Sequence, residues 1–123
     1  MTAISPEIPL VSTAVLEKLA TDLDDHDGSM RRRFIGNYVG LWEHRFGRVS
    51  SAILARDAED AMDAILSLKI SSSMVGAGRL GQLAEHLESL VNGRLFDAAA
   101  TLLDELRTCG MTTTSQLRSL HLQ

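Results

Sequence analysis

A chain of 123 residues, 45% of them apolar and only 4% aromatic, is long enough for one packed core and too short for two. A net charge of −4 and a pI near 5.5 argue against nucleic acid as the main ligand. No apolar run reaches the roughly 20 residues of a membrane span, no signal-peptide pattern opens the chain, and the single cysteine, Cys109, excludes an internal disulfide. A cytoplasmic protein is expected.

Residues 1–11 hold both prolines, Pro6 and Pro9, show no helical period and read as an extended arm. Ser12 or Thr13 can cap a first helix carrying Val15, Leu16, Leu19 and Leu23, which runs into the turn composition Asp24-Asp25-His26-Asp27-Gly28. Ser29 is expected to cap a long second helix to about Arg56. Its stripe is Phe34, Tyr38, Leu41, Arg45, Val49 and Ile53, flanked by Trp42, Phe46 and Ala52. Gly36, Gly40 and Gly47 each cost that helix about 1 kcal/mol relative to alanine, and three small residues would suit a close helix approach. Arg31-Arg32-Arg33 reads as a solvated face rather than a phosphate patch, given the acidity around it.

Asp57 begins a third helix with Ala58, Ala61, Ile65, Leu68, Ser72 and Val75 toward the core. Gly76–Gly78 turns the chain into a fourth, carried by Leu80, Leu83, Ala84, Leu87 and Val91 and stopped at Asn92-Gly93. Phe96, Ala99, Ala100, Leu102, Leu103 and Leu106 define a fifth, to about Cys109-Gly110. The periodicity thus predicts an all-α antiparallel helical bundle: arm 1–11, bundle 12–110, and a weakly helical tail 111–123.

Residues 66–77 read Leu-Ser-Leu-Lys-Ile-Ser-Ser-Ser-Met-Val-Gly-Ala, and Leu80, Leu83, Leu87 and Glu88 follow. This resembles the histidine-containing phosphotransfer (HPt) domains, whose pattern is His-x-Leu-Lys-Gly-x-Ser/Ala, then Gly-Ala, then Leu-x-x-Leu-x-x-x-Leu-Glu. Leu68, Lys69, Ser72, Gly76 and Ala77 fall in place. Leu66 stands where the family has its phosphorylated histidine, and Ile70 where it has glycine. The resemblance implies an up-down four-helix bundle with an additional short N-terminal helix, and a place in two-component phosphorelay signalling.

Leucine has no lone pair with which to attack phosphorus, so the usual catalytic residue is missing. What the resemblance carries over is a docking surface for a response-regulator receiver domain or a histidine kinase: Met62, Leu66, Lys69, Ile70 and Ser73. The expected function is a non-enzymatic, pseudo-phosphotransfer adaptor or regulator without cofactor. Met62, Leu66 and Ile70 form an aliphatic row at helical spacing. That row can dock a partner protein, form a twofold homodimer, lie under Ile8, Leu10 and Val11 of the arm, or enlarge the core through a small helix rotation. A self-associating helical domain unrelated to phosphorelay is the alternative.

Two rival chemistries remain in the sequence. Gly76-Ala-Gly78-Arg-Leu-Gly81 matches the dinucleotide fingerprint, which requires residues 69–75 to be a strand. His86, on the flank of the fourth helix and expected near the level of Leu66, is the candidate for a relocated phosphoacceptor. His26, His44 and His121 have no neighbour spaced for catalysis. The acidic run Asp22, Asp24, Asp25, Asp27 lacks the features of a calcium loop, and no metal site is expected. Cys109 reads as a small core or boundary residue.

Overall fold

Helix boundaries follow from local capping chemistry. The Ser12 hydroxyl accepts from Val15 N–H at 3.3 Å and opens α1 (Thr13–Asp22). Gly28 precedes α2 (Ser29–Leu54) in a left-handed conformation, and the Asp27 carboxylate accepts from Ser29 N–H, so Ser29 is the first helical residue rather than the cap. Asp57 caps α3 (Ala58–Met74) by accepting from Asp60 N–H at 3.0 Å. Then follow α4 (Gly78–Asn92), the six-residue α5 (Phe96–Thr101) and α6 (Leu103–His121). The computed structural model describes residues 8–22 and 27–121. Leu23 of the expected first helix and Asp24, Asp25 and His26 of the expected acidic turn lie outside them.

Three helices end on the same pair of backbone bonds. Asp57 N–H reaches Ala52 O and Arg56 N–H reaches Ile53 O, with equivalent pairs at Gly76–Ala77 and Arg94–Leu95. The residue at the bend takes positive φ: 57° at Arg56, 74° at Gly76, 61° at Arg94. The fourth helix stops at Asn92-Gly93 as expected, although Gly93 has φ −85° and Arg94 carries the left-handed turn.

The long helices α2, α3, α4 and α6 follow one another through short connections. α3 packs on α2 and α4, and α6 closes the ring against both, giving an antiparallel up-down four-helix bundle. The short α1 lies across α2 and α3. Among the described residues all regular structure is helical, and no helix is long and apolar enough to cross a membrane. Leu16, Ile53, Ile65, Leu68, Leu80, Leu83, Leu87, Leu106 and Leu117 are fully buried.

Three expectations need correcting. On α2 the buried face is Ile35, Tyr38, Trp42, Val49, Ala52 and Ile53; Phe34 and Arg45 are half-buried and Leu41 is 43% exposed. Phe34 lies one residue from Ile35, about 100° round the helix, and that rotation carries it to the edge. The three α2 glycines permit no close approach, since a Cβ at Gly36, Gly40 or Gly47 would meet nothing within 4 Å.

The close approach lies instead at Gly110, where a Cβ would run into Cζ2 of the Trp42 ring. The fifth helix therefore does not end at Cys109-Gly110. It breaks at Leu102 and then runs on as α6 to His121, burying Thr113, Thr114 and Leu117. Gly110 is there to admit the Trp42 ring, not to stop a helix.

Candidate functional site

The rotation of α3 about its own axis is held from the inside. Ala61, Ala64, Ile65 and Leu68 face the core, and the Ser72 hydroxyl shares a buried 2.7 Å hydrogen bond with Tyr38 of α2. Burial pushes the Tyr38 hydroxyl up to about 12, against the opposing effect of that hydrogen bond. With this face inward, Met62, Leu66, Lys69, Ile70 and Ser73 are left on the outside.

The aliphatic row is graded. Met62 and Leu66 are half-buried; Ile70 is 61% exposed, and Met74, one turn further, is 43% exposed. A rotation that carried the whole row into the core has not occurred, because the Tyr38–Ser72 bond and the small residues Ala61 and Ala64 hold the opposite face inward.

Nor do the described residues of the arm cover the row. They seat on the α3–α4 corner: Ser12 N–H donates to Gly76 O at 2.8 Å, and Arg79 Nε donates to Ile8 O at 3.0 Å. A Cβ at Gly76 would stand 2.7 Å from Ser12 O, and one at Gly78 would stand 2.9 Å from both Ile8 Cγ2 and Pro9 O. The first two glycines of the fingerprint thus admit the chain's own arm, while Gly81 faces open space. Residues 69–74 belong to α3, so the strand that a dinucleotide site requires is replaced by helix.

Lys69 Nζ donates to Glu88 Oε1 of α4 at 2.9 Å, which raises the lysine pKa. Two shallow cavities flank this ion pair along the α3–α4 groove. One, of about 520 Å³, includes Met62, Leu66, Lys69, Glu85, Ser89 and Asn92 in its walls. The other, of about 780 Å³, is lined by Lys69, Ser73, Glu85 and His86 and is bounded by Ile8 and Pro9. His86 and Ser73 both line this second cavity, while Leu66 lines the first together with Ser89 and Asn92. The Nδ1 of His86 is shielded from water without a hydrogen-bond partner.

The other candidates do not converge on this groove. His44 is exposed on α2 and lines a cavity on the far flank of α3. The backbone of His121 belongs to the last turn of α6, and His26 lies outside the described residues. Cys109 is buried, and desolvation pushes its thiol pKa up. Among the described residues no three His, Cys, Asp or Glu side chains are grouped to hold a metal ion. Sequence reading did not foresee that Lys69 would be neutralised by Glu88. The available signal was the placement of both residues in one motif, on helices joined by a tight turn.

No family model matches the chain, and no curated protein matches it. Among solved structures it is similar to the crystal structure of histidine-containing phosphotransfer protein B (HptB) from Pseudomonas aeruginosa PAO1. The TM-score is 0.81 at 20% identity, over 93% of this chain and 96% of that one. The up-down bundle, with its signature stretch on α3 and at the start of α4, is thus the fold of a histidine-containing phosphotransfer protein.

Proposed function

We propose that this chain is a non-catalytic HPt-like interaction module, an adaptor or regulator in two-component signalling that docks a receiver domain or a histidine kinase over α3. The observation that carries the reading is the exchange at the centre of that helix. Leu66 occupies the position that the sequence resemblance gives to the phosphoacceptor, and Ile70 the position of the glycine, 61% exposed. A carrier needs a nucleophile there, and leucine offers none. An aliphatic surface at the same place offers apolar area that a partner can cover, worth about 25 cal/mol per Å² removed from water.

The rest of the site fits binding better than transfer. Lys69, whose counterpart in HPt domains helps neutralise a phosphoryl group, is already paired with Glu88. Glu85 beside His86 adds a second carboxylate to the groove, which disfavours a doubly negative phosphoryl group on that imidazole.

The test is photo-crosslinking in cells from a photoreactive residue at Ser73, with mass spectrometry of the adducts. Capture of a receiver or kinase domain is the expected result. Capture of only a second copy of this chain would overturn that reading in favour of the homodimer. The chemical half is tested separately by exposing the protein to a phosphorylated receiver domain and probing for phosphohistidine. No label is expected on this chain, and transfer is expected in Leu66→His/Ile70→Gly. Label on the unmodified chain that disappears in His86→Ala would refute non-catalytic status.

A further inference from the structure

On the opposite flank of α3, away from the Lys69–Glu88 pair, a cavity of about 220 Å³ opens between α2 and α3. Its walls are Leu41, His44, Arg45 and Arg48 from α2 and Ala64 and Ser67 from α3. Three nitrogen-bearing side chains and a hydroxyl therefore meet over a small apolar floor. That volume is several times the share of one water in the liquid, about 30 Å³.

Arg45 carries the argument. Its Nη1 is shielded from solvent and has no hydrogen-bond partner. Its guanidinium carbon lies 5.6 Å from the centroid of the Tyr38 ring, which attracts the positive charge. A shielded guanidinium N–H without an acceptor is unfavourable and calls for an anion. Arg48 sits one turn on, donating through Nη2 to Asp60 at 3.1 Å; both side chains of that pair are nearly half exposed. Asp60 offsets part of the positive charge without supplying an acceptor to Arg45.

We propose that His44, Arg45, Arg48 and Ser67 form a binding site for a phosphate-bearing ligand. Arg45 and Arg48 donate to its oxygens, and the hydroxyl of Ser67 and the ring N–H of His44 complete the shell. The site is separate from the aliphatic row and stands whether or not α3 docks a signalling partner.

The probe is inorganic phosphate, titrated into ¹⁵N-labelled protein at an ionic strength held constant with sodium chloride. Saturable shifts are expected at the Nε–H groups of Arg45 and Arg48 and at the backbone amides of His44 and Ser67. Sulfate is expected to compete and acetate not to. Ser67→Glu, an exposed position, puts a carboxylate into the same cavity and is expected to weaken phosphate binding at least about tenfold with helix content unchanged. Arg45→Gln should do the same; because Arg45 also packs on Tyr38, the Ser67 variant keeps the test decisive if that protein does not fold. Absence of saturable shifts, an equal response to acetate, or an unchanged response in Ser67→Glu would overturn the proposal. The Tyr38 ring would then be what holds Arg45.

Discussion

The inward and outward faces of α3 are built from the same seventeen residues and obey different rules. Inward, Ala61, Ala64, Ile65, Leu68 and Ser72 are buried to within a few per cent. Outward, Met62 and Leu66 are half-buried, Lys69 is tied to Glu88, and Ile70 stands 61% exposed. The difference teaches that the fold rests on the inward face. The bundle is specified by the buried residues, and position 66 lies outside that set.

The comparison breaks first at Leu68. Leu68→Ala should lower stability by about 2–5 kcal/mol in chemical denaturation, because a fully buried side chain leaves a cavity. A loss no larger than that of an exposed position would mean the inward face is not the one assigned. Next comes Gly110→Ala, which brings a methyl group into the Trp42 ring from α6. It is expected to cost about 1–3 kcal/mol, read as a lowered melting temperature. A neutral result would separate α6 from the closed side of the bundle.

Tyr38→Phe is a smaller perturbation, expected to cost about 1 kcal/mol, since it removes one buried hydrogen bond to Ser72. Ser72→Ala in the same chain should recover part of the loss, because no hydroxyl is then left without its partner. Tyr38 also sets an alkaline limit. Its ordinary value is 10.0 and burial raises it to about 12, so between those values the unfolded chain releases a proton that the folded chain keeps. Stability from this group is complete below pH 10 and falls as pH rises toward 12. The Phe variant should lose that part of the slope.

The smallest effect on stability is expected at Ile70. Ile70→Ser should change it by no more than about 0.5 kcal/mol, as an exposed position does, yet weaken capture of the partner from Ser73. A marked loss of stability would instead show that Ile70 is packed in solution, as in a homodimer.

The helical layout was legible because α3 and α4 bury what their periodicity says they bury. Ala61, Ile65, Leu68 and Ser72, then Leu80, Leu83, Ala84, Leu87 and Val91, are all enclosed as expected. The expectation for α2 was displaced by one residue at Ile35, because a 26-residue helix touched by four others has no single narrow stripe. Gly110 misled most plainly. In sequence a glycine after a helical run reads as a stop, and only the Trp42 ring pressed against it reveals a packing glycine. At the candidate site, the aliphatic residues Leu66 and Ile70 could be read directly. The Glu88 partner of Lys69, the neighbourhood of His86 and the cavity around Arg45 could not, since each joins residues on different helices.

By itself the sequence determined that the chain is helical, where α3 and α4 place their apolar faces, and that no histidine stands at position 66. Those properties are local: a period of 3.6 residues and the chemistry of one side chain act within a few turns. Tertiary structure decided that α6 continues past Gly110, that the arm seats against Gly76 and Gly78, and that Lys69 is neutralised while Arg45 keeps a shielded, unpartnered nitrogen. Each of these depends on which side chains meet across helices, and hydrophobic burial, being non-directional, says only that such faces must be covered and not by what.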